Sequence, residues 1–234
     1  MKEVMFNHIF GNIFDDVRIT TPRLTNFAED VHSRLQSQNQ NHEFDAQIAP
    51  LRLAIDELMD KISKVDVDLT IQYGDTLTVN RLIADFKRVM QEKEGVIADA
   101  LGGFESMGYI EFYPKGEVEY NQATKEKLPV LINRVTSLAQ HYAVSLPSNL
   151  TVTLVAFAND WELYREKQQR QKGAVSEGRY ERNEKRKALE LVLHQLMHFI
   201  AQKFPANSRH CKIFFDVPLL YATKHKKAIK NKEG

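Results

Sequence analysis

His194-Gln-Leu-Met-His198 places two histidines four residues apart within the run Glu190 to Ile200. On a helix that spacing sets both imidazoles on one face, one turn apart, as in the first two ligands of the zinc-protease pattern H-E-x-x-H. That chemistry needs a glutamate after the first histidine as general base, and a third ligand further along. Gln195 stands where the glutamate would be and cannot take a proton; the acids after His198 are Asp216 and Glu233. His210 lies twelve residues beyond His198, a spacing that completes no metal motif. At about 100° per residue, Leu189, Val192, Leu193, Leu196 and Ile200 form one stripe, and both histidines fall on the opposite face. They are expected to be solvated or interface histidines holding no structural metal.

The other chemistry-bearing residues give less. Glu29-Asp-Val-His32 matches the Glu-x-x-His element that di-iron bundles use twice, but the chain has one copy, and Glu190 and His194 are four apart. Gly102-Gly103 is followed by no Gly-Lys-Ser/Thr, so there is no phosphate loop. Cys211, between His210 and Lys212, is the single cysteine; it excludes an internal disulfide and reads as a partly buried thiol. No nucleophile elbow occurs. No catalytic residue, metal or cofactor is expected.

The net charge of +1 hides an asymmetry. Residues 161–187 hold nine Lys/Arg against five Glu, and 224–234 five Lys against Glu233, each a net +4. Glutamates recur at helical spacing in the first segment, so it reads as a solvated, ion-paired helix. Nucleic-acid binding through 165–187, with Arg179, Arg182 and Arg186, and through the lysine-rich tail is the alternative. That tail reads as a disordered, solubilising end.

Positioning these residues falls to helices. The chain of 234 residues is 43% hydrophobic and 27% charged, with 10 Gly and 7 Pro, a composition that favours helix. No apolar run is long enough to span a membrane, and Met1 to His8 lacks the apolar core of a signal peptide, so a soluble, cytoplasmic protein is expected. Residues 3–17 carry Met5, Phe6, Ile9, Phe10, Ile13, Phe14 and Val17 at helical spacing, an amphipathic docking segment with Phe6, Phe10 and Phe14 as its contacts. Its target is the protein's own bundle or a second copy. Thr20-Thr21-Pro22 opens the next helix. Ile48, Leu51, Ile55, Leu58 and Ile62 predict a strong helix.

Val65, Val67, Leu69, Ile71 and Tyr73 alternate as in a strand. With helices on both sides such a strand has no partner, so the stretch reads as an irregular connection or continuing helix. Helices follow at 77–90, 96–104 and 121–143, with Tyr109 to Tyr120 as a turn. Leu154, Phe157, Trp161 and Tyr164 mark a helix running into the charged stretch, and a last one follows Gly178. A shift of 106 residues lays Ile48, Leu51, Ile55 and Leu58 over Leu154, Phe157, Trp161 and Tyr164, a pattern compatible with duplication.

Tyr120-Asn-Gln-Ala-Thr124 opening a helix, and Ala158-Asn-Asp-Trp-Glu-Leu-Tyr-Arg165, resemble a family of uncharacterised bacterial helical proteins. The resemblance implies an all-helical repeat fold and no activity. The fold expected is all-α, about seven helices in one or two antiparallel bundles. The expected divisions are a docking segment 1–22, helical units 23–115 and 116–223, and a basic tail 224–234. The function expected is non-enzymatic: a helical interaction or scaffold protein with a protein partner or itself. The alternatives are nucleic-acid binding and a metal- or small-molecule-binding bundle.

Overall fold

A computed structural model describes residues 11–221, and these residues form an all-α structure without strands. Eight helices are present among the described residues: α1 (Thr21–Gln38), α2 (Asp45–Glu92), α3 (Glu94–Ala100), α4 (Met107–Phe112), α5 (Val118–Asn121), α6 (Leu128–His141), α7 (Ser148–Lys203) and α8 (Ser208–Cys211). A 3-10 turn, Val217–Leu220, packs on α1. Met5, Phe6, Ile9 and Phe10, and the tail 224–234, lie outside the described residues.

Two helices are far longer than their sequence patterns suggest. Helix α2 has 48 residues and runs unbroken through the alternating stretch at 65–73. Of that set, Val65 is buried while Val67, Ile71 and Tyr73 are exposed, so the alternation never forms a strand face. Helix α7 has 56 residues and absorbs both the charged stretch and Gly178, where a separate helix was expected. Conversely, Tyr109 to Tyr120 is not only a turn: α4 and α5 flank it. Ser106 caps α4 by accepting from the Tyr109 N–H at 3.2 Å. Gly102 and Gly103, at φ +99° and +102°, supply the left-handed residues that let the chain reverse after α3.

The chain forms two compact units, which are not the consecutive segments 23–115 and 116–223 expected. Unit 1 comprises residues through Asp66 and from Glu177 onward; unit 2 is Val67–Ser176, and the boundaries fall inside α2 and α7. The reason is antiparallel pairing of these two helices, which brings together residues from 92 to 128 apart in the contacts below. In unit 1, Lys61 meets Glu181 and Glu57 meets Lys185, each at 2.9 Å, so a step forward on α2 is a step back on α7. In unit 2, the Gln171 side chain donates to the Asp68 carbonyl at 3.0 Å, and Gln168 donates to the Thr76 hydroxyl at 3.1 Å. Each unit has its own core. Leu51, Ile55 and Leu58 pack with Leu189, Leu193, Leu196 and residues of α1 in unit 1. Phe86 and Met90 pack with Leu154, Phe157, Trp161 and the short helices in unit 2. Residues related by the 106-residue shift thus fall in different cores.

The N-terminal expectation is corrected over its described part. Residues 11–17 are turns, not helix: the Asn12 side chain accepts from the Phe14 N–H at 3.1 Å, and the Asp16 carbonyl accepts from the Ile19 N–H at 2.8 Å. Phe14 is fully buried while Val17 is fully exposed. An asparagine side chain competing for backbone N–H groups breaks the helical register here, so Ile13, Phe14 and Val17 do not share one helical face.

Candidate functional site

Unit 1 carries an apolar cleft. The chain enters through the turns at 11–20 and leaves through α8 and the 3-10 turn, and these end segments wall a space of about 470 Å³. Ile13, Phe14 and Phe27 form one side. Met197, Ala201 and Phe204, at the end of α7, form the floor, with Phe215, Val217 and Leu220 opposite. Among the described residues, polar lining is confined to Asn207, Ser208, Cys211 and Lys212, and Lys212 is the one charged lining residue. The walls are rings without hydroxyl groups. Phe14 lies against Phe27 at 5.6 Å between centroids, Phe27 against Phe215 at 6.4 Å, and Phe204 against Phe214 at 5.9 Å. Ile213, Val217, Leu219 and Tyr221 remain exposed along the same C-terminal segment.

Helix α7 ends where it does because Pro205 cannot continue it. Ala206 then adopts a left-handed backbone, φ 58°, and Asn207 caps α8 by accepting from the His210 N–H at 3.0 Å. That sharp reversal brings Cys211 and Phe215 to the cleft that Met197 and Ala201 also line. Cys211 is half-buried on the cleft wall, with its thiol 4.0 Å from the Phe204 carbonyl.

A second, polar recess of about 550 Å³ in unit 1 is lined by Asp15, Asp16, Thr20, Arg182, Lys187 and Glu190, among others. Here lie two of the three arginines singled out from the sequence. Arg186 is committed to the fold: Nε donates to Glu190 at 2.7 Å, Nη1 to the Thr21 hydroxyl at 3.1 Å, and Nη2 to the Ile19 carbonyl at 2.7 Å. Glu190 is buried, and burial pushes its carboxyl above the usual range despite the Arg186 partner. Arg182 is half-buried and donates to Asn183 at 3.2 Å, while its Nε is buried without a partner. Arg179 is exposed. Elsewhere in the basic stretch Lys185 pairs with Glu57, Lys187 with Glu184 and Arg170 with Glu166. Five of the nine cations of 161–187, Lys167, Arg170, Lys185, Arg186 and Lys187, are ion-paired.

The histidines of the opening motif do meet. His194 and His198 bring their Nε2 atoms to 3.2 Å, with ring planes at 87° and centroids 4.5 Å apart. His198 is exposed and His194 half-buried, its Nδ1 buried without a partner. Desolvation, and then the neighbouring His198, hold the His194 imidazole below its ordinary pKa. The Glu-x-x-His element does not converge: Glu29 bonds Arg52 at 2.9 Å and His32 is buried. Among the described residues, no three His, Cys, Asp or Glu side chains are placed to hold one metal ion. No helix is long and apolar enough to cross a membrane, again among the described residues.

The sequence singled out Ile13, Phe14 and Cys211, which line the apolar cleft, and missed most of the rest of its wall. Phe215, Val217 and Leu220 join that wall only after the chain reverses at Ala206. Compared with known protein families, curated proteins and solved structures, the chain matches none.

Proposed function

We propose that the protein is a non-enzymatic binding protein whose working surface is the apolar cleft of unit 1, and that its ligand is a small amphiphile with an apolar body and an anionic end. The carrying observation is the cleft itself: about 470 Å³ of space between phenyl rings and aliphatic side chains, with Lys212 as the one charged lining residue among those described. Ligand sites commonly enclose about 300–1,000 Å³, apolar with a few placed polar groups. Burial of the ligand's apolar body supplies the affinity, at about 25 cal/mol per Å² removed from water. Lys212 supplies the orientation, since an ammonium at the edge of an apolar site favours a carboxylate or similar head group.

The reading is tested by titrating the full chain with a fluorescent medium-chain carboxylic acid. Saturable binding is expected, abolished in Ala201→Trp, where an indole fills the cleft floor. Lys212→Gln is expected to weaken the acid while leaving the matching alcohol unchanged. Absence of binding, or binding untouched by Ala201→Trp, overturns the reading. An Ala201→Trp variant that instead loses a co-purifying protein, while the wild type ignores the acid, would replace the small ligand with a protein partner's apolar segment.

A further inference from the structure

We propose that His194 and His198 form an open two-imidazole site for an exchangeable divalent transition-metal ion, with water completing the coordination. Neither histidine lines the apolar cleft, and the proposal does not depend on how that cleft is used. Its basis is distance. Two imidazole nitrogens held at about 2.0–2.1 Å by one tetrahedral ion stand about 3.3 Å apart. The two Nε2 atoms are 3.2 Å apart without any ion. One turn of α7 fixes that separation, so neither backbone nor loop has to move for both nitrogens to reach a shared point. Without an ion one ring donates its Nε2–H to the other; binding displaces that proton and turns the two lone pairs from each other toward the ion.

The surroundings admit a dication. Exposed His198 opens the site to solvent, and residues 188–202 contain no Lys or Arg, their one charge being Glu190. Two features limit affinity. Two protein ligands leave half of a tetrahedral shell to water, as in an open rather than a structural site. A metal on His194 Nε2 also forces the proton onto Nδ1, which is buried without an acceptor, so His194 is the poorer ligand of the two. Both point to micromolar rather than tighter binding. Imidazole ligands select copper, nickel and zinc over magnesium and calcium, with copper(II) held most tightly. Gln195 denies the site the general base of a zinc hydrolase, so the assignment is binding and not hydrolysis.

The test is equilibrium dialysis of chelator-stripped full-length protein against copper(II) and, separately, zinc(II). One equivalent of micromolar affinity is expected, tighter for copper. His198→Ala should weaken it by at least the roughly tenfold that loss of even an outer-shell partner costs. Because His198 is exposed, its alanine variant should melt at the wild-type temperature, which separates lost ligation from lost folding. His210→Ala and His42→Ala should bind as wild type does. Paramagnetic copper should broaden the His194 and His198 ring resonances before those of other histidines. An equivalent that survives His198→Ala, one that follows His210, or no equivalent at all overturns the proposal.

Discussion

The two cores are built on the same pair of long helices and finished with different aromatic chemistry. In unit 2 the rings that close the core are largely tyrosines with anchored hydroxyls. Tyr113 donates to the Met90 carbonyl at 2.6 Å, Tyr120 donates to the Phe112 carbonyl, and Tyr109 donates to Glu94 at 2.7 Å. Arg134 reaches over the Tyr120 ring and bonds Glu119 at 2.7 Å. Burial pushes the Tyr109 phenol up to about 12 and Tyr113 further still, so these hydroxyls remain donors at any physiological pH. In unit 1 the corresponding work is done by Phe14, Phe27, Phe204, Phe214 and Phe215. A phenyl ring contributes contact area and no directional bond, so its position is set by packing alone. The tyrosine-finished core is tied at stated atoms, whereas the phenylalanine-finished one borders an open apolar cleft.

The same contrast runs along the α2–α7 seam. In unit 1 the facing residues are Leu51, Ile55 and Leu58 with Leu189, Leu193 and Leu196. In the part of unit 2 beyond the apolar core, Asp75 and Gln168 are buried instead, and Asp68 and Asp75 each keep one carboxylate oxygen without a partner. Buried polar positions in a helix pair tend to fix register at a cost in stability.

The largest expected effect lies at the centre of the closed core. Phe86 is fully buried, with Phe157 at 5.2 Å and Tyr120 at 5.9 Å. Phe86→Ala should cost about 3–5 kcal/mol, measured by denaturant unfolding with the emission of Trp161, the sole tryptophan, as probe of unit 2. A loss below about 1 kcal/mol would mean the cavity collapses easily and the core is not rigid.

Next comes the clamp that holds the entry segment of unit 1. Arg186→Ala removes three donated bonds and strands Glu190; with the Arg186 side chain 20% exposed, the cost should sit near the lower end of a buried pair, about 3 kcal/mol. A variant as stable as wild type but weakened in nucleic-acid binding would return Arg186 to the basic-surface reading.

Tyr120→Phe tests the tyrosine anchors directly. It keeps the ring and leaves the buried Phe112 carbonyl and one Arg134 donor unanswered, a loss of about 1–3 kcal/mol. An unchanged melting temperature would erase the distinction between the two kinds of core.

The smallest effect is a pH dependence. His194 titrates lower in the fold than in the unfolded chain, so the unfolded state takes up the proton first. Its contribution to stability is therefore complete above the unfolded value, about 6.5, and is lost as pH falls through that value toward the folded one. Melting temperatures measured from pH 8 to pH 5 should fall less steeply for His194→Gln than for wild type. Parallel curves would mean that His194 is as well solvated as His198.

What the sequence determined by itself was local and periodic. The stripes Leu154, Phe157, Trp161 and Leu189, Leu193, Leu196, Ile200 lie at three- and four-residue spacing, and all seven are buried. The all-α class follows from them, because helical periodicity depends only on neighbours along the chain. Where the local signals were weak or contradictory, tertiary structure decided. The alternation at 65–73 is carried through as helix because both flanks are already helical and Val65 packs inward while Val67 and Tyr73 face solvent. The composition of the units, the burial of Arg186 against Ile19, and the reversal that folds Phe215 over Met197 each join residues far apart in sequence. Such contacts leave no periodic trace. The histidine pair shows both levels at once: the four-residue spacing set the two rings a turn apart, and the packing around His194 buried one nitrogen and left the other facing His198 at 3.2 Å.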